Sequence, residues 1–300
     1  MHNQYEAHDK RSCVAFGDFD GMHTGHMAVI TKLLEVAGLR GLAPVLISFN
    51  HDNDKRRQIL TTENEKRRLL PFEPDLRMVS LPKQRVNETF IRDVLVGTLR
   101  AAVVVAGANY RKLELLRAGS EKYGFELQIC DVVKDSGAPV STLRIAKALK
   151  ANDLETANRL MGHPYIVCGT VVKGKQLGRT IGFPTANIDF APNKLLPYDG
   201  VYVTTALMNG VRRPGLANIG LRPTVDNFDY RTVENFIMDF SGDLYGEELH
   251  VEVLRFIRGV KKFDGLNDVK QQVTKDMESV RSYVARLFTK DPTIPPSLFL

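Results

Sequence analysis

The sequence GKQLGRTIGFPTANI runs from Gly174 to Ile188 and carries three glycines at intervals of four residues. Glycine lets the backbone approach a ligand closely or take positive φ. Arg179 suits pairing with phosphate oxygens, and the Thr185 hydroxyl and the Asn187 carbonyl oxygen suit a hard cation such as Mg²⁺. The pattern indicates a phosphate and metal site, whereas the simpler alternative is a glycine-rich turn before an ordinary strand.

Short β-rich segments separated by Gly, Pro, Asn and Asp surround this stretch. They are Ile166 to Val172, Val201 to Met208, Thr232 to Phe240 and Leu249 to Ile257. Strands of this length and spacing predict a small antiparallel barrel. The helical pattern of Leu266 to Phe288 predicts a helix that covers one face of the barrel, and we expect residues 291–300 to form a poorly packed tail.

The first half of the chain has a different pattern. Strand-like runs at Ser12 to Phe16, Ala43 to Phe49 and Ala102 to Ala106 alternate with helical stretches at residues 25–37, 62–70, 87–99 and 141–160. This alternation predicts a parallel sheet flanked by helices. Gly162 and Pro164 end the last helix. We therefore predict an α/β domain at residues 1–162 and a β domain at residues 163–290.

Composition excludes several classes of protein. A chain of 300 residues is long enough for two domains. Its apolar runs are too short for a membrane span, and its start lacks the apolar segment of a secretory signal, so we expect a cytoplasmic protein without a membrane partner. Cys13, Cys130 and Cys168 are too few and too widely spaced to predict a disulfide framework or a zinc site.

The net charge of +6 favours anionic partners. The basic triplets Lys55 to Arg57 and Lys66 to Arg68 would suit phosphates or RNA, but most such triplets are solvated faces. No aromatic residues for base stacking are interleaved with them. We therefore do not expect nucleic acid as a partner, and the sequence leaves the oligomeric state open.

Several motifs together resemble one family. FGDFDGMHTGH, from Phe16 to His26, is similar to the GxFDGxHxGH nucleotidyltransferase motif of bifunctional riboflavin kinase/FAD synthetases. The stretch from Gly174 to Ile188, NIGLRPTV from Asn218 to Val225, and VENFIMDFSGDLYG from Val233 to Gly246 resemble the kinase signature of the same family. The resemblance implies a Rossmann-like nucleotidyltransferase domain followed by a β-barrel riboflavin kinase domain with a closing helix. It also implies the substrates ATP, riboflavin and FMN, the product FAD, and Mg²⁺.

The resemblance assigns roles in the kinase half. It implies Glu234 as the catalytic base, Thr185 and Asn187 as contacts of the metal and ATP, and a nucleotide-binding flap that contains Gly174, Gly178 and Arg179. Period two places Glu234 and Phe236 on one face of their strand, and Phe236 stands where the family usually has His. The flavin-side residues that we predict are Phe236, Asn218, Thr224 and Arg258. The plainer alternatives are a simple turn at Thr224 and a solvated edge-strand arginine at Arg258.

In the first half, His23 and His26 lie three residues apart at the start of a predicted helix, where they suit charge stabilisation during adenylyl transfer. A metal site or a helix cap is the alternative interpretation of the pair. The resemblance implies further contacts with ATP from the turn of the motif and from VSTLRIA. These residues are Phe16, Gly17, Phe19, Asp20, Gly21, Gly25, Ser141 and Thr142.

The first half also departs from the family pattern. Asp18 stands where the family usually has Asn, and GANYRKL, from Gly107 to Leu113, matches GxDFxFG poorly. Ala146 occupies the arginine position of the SSTxxR phosphate-binding element. These departures predict a weakened FAD synthetase. Two alternatives remain open, namely a nonenzymatic scaffold or RNA-binding module, and a nucleotidyltransferase with a substrate other than a flavin.

Overall fold

The structure, a computed structural model, describes residues 10–52, 54–70, 74–174, 176–222 and 230–290. These residues belong to two compact units. The first extends to Ile145 and includes Leu160–Gly162, and the second comprises Ala146–Arg159 and the chain from His163 onward. The single domain boundary after Gly162 stays a prediction, and the predicted tail at 291–300 lies outside the described residues.

A parallel sheet of five strands forms the centre of the first unit. Its order is β3-β2-β1-β4-β5. The strands are β1 (Ser12–Gly17), β2 (Ala43–Asn50), β3 (Arg77–Pro82), β4 (Ala101–Gly107) and β5 (Glu126–Cys130). The predicted parallel sheet is confirmed. The three strands recognised in the sequence are the inner ones, because burial on both faces makes them continuously apolar.

Helices flank this sheet. They are α1 (Thr24–Arg40), α2 (Glu63–Leu69), a π-helix at Phe90–Thr98 and α3 (Leu113–Tyr123), and a small hairpin of β6 (Lys134–Asp135) and β7 (Ala138–Pro139) follows β5. The next two helices, α4 (Thr142–Lys150) and α5 (Leu154–Met161), have most of their residues in the second unit. The prediction of one helix over residues 141–160 is wrong. Asn152 adopts a left-handed conformation with φ of 60°, and the Asp153 carboxylate accepts a hydrogen bond from Thr156 N that begins α5.

The second unit contains a closed six-stranded barrel in the order β10-β11-β12-β9-β8-β13. Its strands are β8 (Tyr165–Val172), β9 (Thr185–Asp189), β10 (Gly200–Met208), β11 (Val211–Arg222), β12 (Tyr230–Ile237) and β13 (Glu248–Arg258). A short helix, α6 (Leu177–Thr180), precedes β9, and the long helix α7 (Leu266–Lys290) follows β13. Neighbouring strands pair in antiparallel fashion. The predicted barrel is confirmed.

Helix α7 closes one side of the barrel, as predicted. Met277 and Val280 of the helix are buried against Val201 of β10 and Leu216 of β11. Each fully buried side chain of this size contributes about 1.5–3 kcal/mol relative to an exposed one. Among the described residues no helix is long and apolar enough to cross a membrane.

Candidate active sites

A row of polar side chains crosses three strands of the barrel. Glu234 of β12 lies directly opposite Asn187 of β9 and directly opposite Asn218 of β11. Directly paired residues project from the same face of a sheet. The neighbours of Glu234 in sequence, Val233 and Asn235, are buried inside the barrel, so this row lies on the outer face.

Thr185 lies on the same face, two residues before Asn187 on β9. It pairs with Phe236, two residues beyond Glu234 on β12, and period two keeps both pairs on the same side of the sheet. The structure thus brings together the three residues for which the sequence predicted metal, phosphate and base roles. Periodicity had placed Glu234 beside Phe236, but it could not show which strands would be their neighbours.

The glycine-rich loop passes very close to these side chains. A Cβ atom on Gly174 would lie 2.3 Å from Asn187 Nδ2, and one on Gly178 would lie 2.2 Å from the carbonyl oxygen of Phe183. Contacts this short exclude any side chain at the two positions. Gly178 also lies beside Thr185, whose hydroxyl would be 3.6 Å from such a Cβ atom. The exposed Arg179 belongs to α6 in the same loop.

The donor atoms of this site suit a hard divalent cation. Asn187 Oδ1 is buried and has no hydrogen-bond partner within the described part of the chain, and a buried acceptor without a partner is costly. No cluster of three or more His, Cys, Asp or Glu side chains that would hold a metal occurs among the residues that the structure describes. An ion bound to Asn187 and Thr185 would take its remaining ligands from phosphate oxygens and water, which is the usual arrangement for Mg²⁺.

The predicted flavin-side residues have different environments. Phe236 packs edge to face on Phe183, with ring centroids 5.4 Å apart, and Asn218 is exposed. Thr224 lies outside the described residues. Arg258 donates to the buried Asp276 of α7, with Nη2 2.7 Å from Oδ2, so its guanidinium joins β13 to the helix.

Tyr245, near the end of VENFIMDFSGDLYG, also belongs to this region, and no sequence pattern predicted a role for it. Its hydroxyl lies 3.3 Å from Gln176 Nε2, and the ammonium group of Lys173 lies 5.9 Å from the centre of its ring. Both partners belong to the glycine-rich loop or adjoin it. Tyr245 therefore links the turn after β12 to the flap.

A large cavity marks the second candidate site, in the first unit. It has a volume of about 1120 Å³ and opens at the carboxyl ends of β1 and β4, where the strand order reverses. This is the usual position of ligand sites in parallel sheets. Eight predicted residues line it: Phe16, Gly17, Phe19, His23, Gly25, His26, Ser141 and Thr142.

The two histidines are stacked at the start of α1, with ring centroids 3.6 Å apart. His23 Nδ1 accepts a hydrogen bond from His26 N at 3.3 Å, so His23 also caps the helix. Burial and the neighbouring His23 hold the pKa of His26 well below its usual value. His26 is therefore a neutral side chain at pH 7.

Asp20 and Gly21 do not line the cavity but shape the loop behind it. The Asp20 carboxylate accepts hydrogen bonds from Leu60 N at 2.7 Å and Thr61 N at 3.0 Å. Gly21 takes φ of 87° and donates to Thr61 Oγ1. Burial raises the pKa of Asp20, although the backbone donors act in the opposite direction. These contacts within the protein account for the acid at position 20 and the glycine at position 21, so no ligand is needed to explain either residue.

Comparison with known proteins gives the same two-part division. A riboflavin kinase family model matches residues 161–284, and an FAD synthetase model matches residues 5–144. A bifunctional riboflavin kinase/FMN adenylyltransferase from Listeria monocytogenes is 33% identical over 297 residues, which cover 93% of this chain and 94% of that protein. This chain belongs to the bifunctional riboflavin kinase/FMN adenylyltransferase family.

Two further comparisons extend over nearly the whole chain. The Escherichia coli bifunctional riboflavin kinase/FMN adenylyltransferase is 33% identical and covers 94% of this chain and 96% of its own. A crystal structure described as a macrolide-efflux protein from Streptococcus pneumoniae has a TM-score of 0.77 at 27% identity, covering 92% of this chain and 95% of that one. The fold of this family member is therefore shared along both of its units.

This family member has an acid in its adenylyltransferase cavity. Asp18 lies 3.1 Å from His51 Nε2 and 2.8 Å from Arg57 Nη1. Burial alone would raise the pKa of Asp18, but the hydrogen bonds from His51 and Arg57 more than offset it and lower that pKa. Burial, together with the charge of Asp18, raises the pKa of the nearby Tyr110 to about 12, so Asp18 is ionised and Tyr110 is not.

Proposed function

We propose that the second unit transfers the γ-phosphoryl group of ATP to the ribityl 5′-hydroxyl of riboflavin and so forms FMN. One observation carries this assignment: Glu234 is paired directly with Asn187, and Thr185 lies on the same face beneath the glycine-rich loop. A base, two oxygen ligands and a phosphate-binding loop are the parts that phosphoryl transfer needs.

In this proposal, Glu234 accepts the proton of the attacking hydroxyl. Thr185 and Asn187 would hold Mg²⁺, which would neutralise charge on the phosphates. The backbone of Gly174 and Gly178 lies against the nucleotide, while Arg179 pairs with phosphate oxygens. Because the phosphoryl group passes directly between oxygens, the protein contributes mainly position and charge.

The proposed contacts with the flavin come from residues next to Glu234. Phe236 and Asn218 are on the same outer face as Glu234, and they would contact the flavin there. The flavin contact of Thr224 stays a prediction. Arg258 is paired with Val201, which in turn is paired with Asn218, but its guanidinium is engaged by Asp276 of α7. We therefore assign Arg258 a positioning role in place of the predicted flavin contact.

For the first unit we propose adenylylation of FMN. An FMN phosphate oxygen bonds to the α-phosphorus of ATP, the bond from that phosphorus to the bridging oxygen breaks, and pyrophosphate leaves with the electron pair. His23 and the neutral His26 line the cavity where this charge develops, and as hydrogen-bond donors they would stabilise it. The cytoplasmic location expected from the sequence stays a prediction.

Incubation of the purified protein with riboflavin, ATP and Mg²⁺, followed by chromatographic separation of FMN and FAD, tests both activities. Supplying FMN in place of riboflavin isolates the second reaction. Folded protein that forms no FMN would contradict the kinase assignment. FMN without FAD would favour a nonenzymatic first unit, with the departures from the family pattern at Asp18 and Ala146 as the cause of the lost turnover.

A further inference from the structure

Arg57, the last residue of the first basic triplet, does not belong to a solvated face. It lines the cavity of the first unit, and its Nη1 lies 2.8 Å from Asp18 Oδ2 and 3.0 Å from His51 Nε2. Its neighbour Arg56 has a side chain that is 94% exposed and pairs with Asp54. Two adjacent arginines thus have opposite environments.

The carboxylate of Asp18 creates an electrostatic problem in a cavity that receives ATP. An ionised acid repels the phosphates of a nucleotide and weakens their binding. The guanidinium of Arg57 removes that repulsion, because the two charges cancel at a separation of one hydrogen bond. Asp18 in turn fixes Arg57 at the wall of the cavity, so that little side-chain freedom is lost when an anion binds.

A guanidinium of the family pattern is also missing from the segment that follows the cavity-lining residues Ser141 and Thr142. Ala146 occupies the position where the family pattern has the arginine of its phosphate-binding element. The nearby Arg144 does not replace it, because its Nη1 donates at 2.8 Å to the carbonyl oxygens of both Ala138 and Pro139, and its Nη2 pairs with Asp135. Arg144 holds the hairpin of β6 and β7.

Other basic residues line the cavity but are not fixed in the same way. Lys83, Arg85 and Arg111 are exposed, and within the described part of the chain they make no hydrogen bond or ion pair to another side chain. Lys112 donates to the carbonyl oxygen of Val86. Arg57 is the cavity-lining cation that a carboxylate holds in place.

We propose that Arg57 is the guanidinium that pairs with the polyphosphate of ATP in the adenylyltransferase cavity, and that Asp18 is its positioning residue. This inference rests on the proposed FMN adenylylation and adds a phosphate contact to it. The pair takes over the task of the arginine that is absent at position 146. It also explains why an acid is tolerated at position 18.

Four variants test the pair, with FAD formation from FMN as the readout and FMN formation from riboflavin as an internal control of folding. Arg57→Gln should raise KM for ATP at least about tenfold, the equivalent of one charged hydrogen bond of about 1.4 kcal/mol. Arg57→Lys should retain part of the affinity, because it keeps the charge but not the planar fork. Arg56→Gln, which removes the same charge from the adjacent residue, should leave the KM for ATP unchanged.

The double variant Asp18→Asn/Arg57→Gln gives the sharpest outcome. It should bind ATP more tightly than Arg57→Gln alone, because the uncompensated carboxylate is gone. If the pair has only a structural role, the double variant should instead have a KM for ATP as high as that of Arg57→Gln, or higher. Equal KM values for Arg57→Gln and Arg56→Gln, or a double variant no better than Arg57→Gln, would overturn the inference.

Calorimetric titration of the full chain with a non-hydrolysable ATP analogue separates this inference from the proposed activity. The wild type should show one binding event for each unit, and Arg57→Gln should weaken one of them at least about tenfold while Arg56→Gln leaves both affinities unchanged. Two events of wild-type affinity in Arg57→Gln would refute the role of Arg57 whether or not FAD is formed. A wild type that binds twice but forms only FMN would refute the adenylylation alone.

Discussion

Glu234 and Asn187 face each other across β12 and β9, so a carboxylate and a buried carboxamide oxygen lie side by side on the outer face of the barrel. The carboxamide oxygen has no partner among the residues described. A base and a cation ligand at neighbouring positions can act on the two ends of one transferred phosphoryl group. This arrangement also lets the two roles be separated by substitution.

Glu234→Gln should lower kcat of riboflavin phosphorylation by about a hundredfold or more, which is the usual effect of removing a general base. The affinity for the ATP analogue should change little, because the amide keeps the size of the side chain. Glu278→Gln, at an exposed position of α7, is the matched control and should retain full activity. Full kinase activity in Glu234→Gln would show that another group takes the proton.

Gly174→Ala should impair ATP use by the kinase. The added methyl group would lie 2.3 Å from Asn187 Nδ2, so either the flap or the predicted metal ligand must move, and displacements of about 1 Å cost up to about a hundredfold in rate. We expect kcat/KM for ATP to fall on the order of tenfold or more. Gly265→Ala, where an added methyl group meets nothing within 4 Å, should behave like the wild type, and equal kinetics for the two variants would contradict the close approach.

The sequence predicted some elements well and others not at all. The inner strands β1, β2 and β4 were recognised because they are continuously apolar. The edge strands β3 and β5 were missed because one begins with Arg77 and the other is only half buried. The break at Asn152 was missed because the apolar spacing of α4 continues into α5, while a single left-handed residue leaves no mark in periodicity.

For the two candidate sites as well, the sequence predicted some features and missed others. The residues of the kinase site came from motifs that resemble a family, and their assembly depends on the pairing of β9, β12 and β11. The contact between Asp18 and Arg57 joins positions 39 residues apart, and neither motif nor composition indicates it. Arg57 was grouped with its exposed neighbours because the charge pattern along a chain does not show which side chains point inward.

The pKa of His26 predicts how the stability of the first unit depends on pH. Burial holds this pKa well below the ordinary value of 6.5, so the unfolded chain binds a proton at His26 that the folded chain does not. The resulting stability is fully present above pH 6.5 and is lost as the pH falls below it. The free energy of unfolding of the first unit, measured in urea between pH 7.5 and pH 5.5, should therefore decrease.

His26→Gln should flatten that dependence, because glutamine does not titrate. The lowered pKa of Asp18 keeps this acid ionised throughout the range, and the raised pKa of Asp20 acts in the opposite direction, because it favours proton uptake by the folded chain. A variant that keeps the full slope would place the proton uptake on another group. Unfolding of the second unit, followed through its own transition, should be insensitive to this substitution.

Arg258→Met tests whether Arg258 holds the fold or binds the flavin. The guanidinium donates to Asp276 through Nε and Nη2, and Asp276 is buried. Removing one partner of a buried pair leaves the other charge uncompensated and typically costs about 3–5 kcal/mol. Since the Arg258 side chain retains some exposure, we expect the lower end of that range in urea unfolding, with riboflavin affinity of the folded protein nearly unchanged. Arg281→Met, at an exposed position of α7, should alter neither quantity.

The opposite result would assign Arg258 to the flavin site. An Arg258→Met variant would then be as stable as the wild type but bind riboflavin at least about tenfold more weakly, because a direct contact changes affinity without loosening α7.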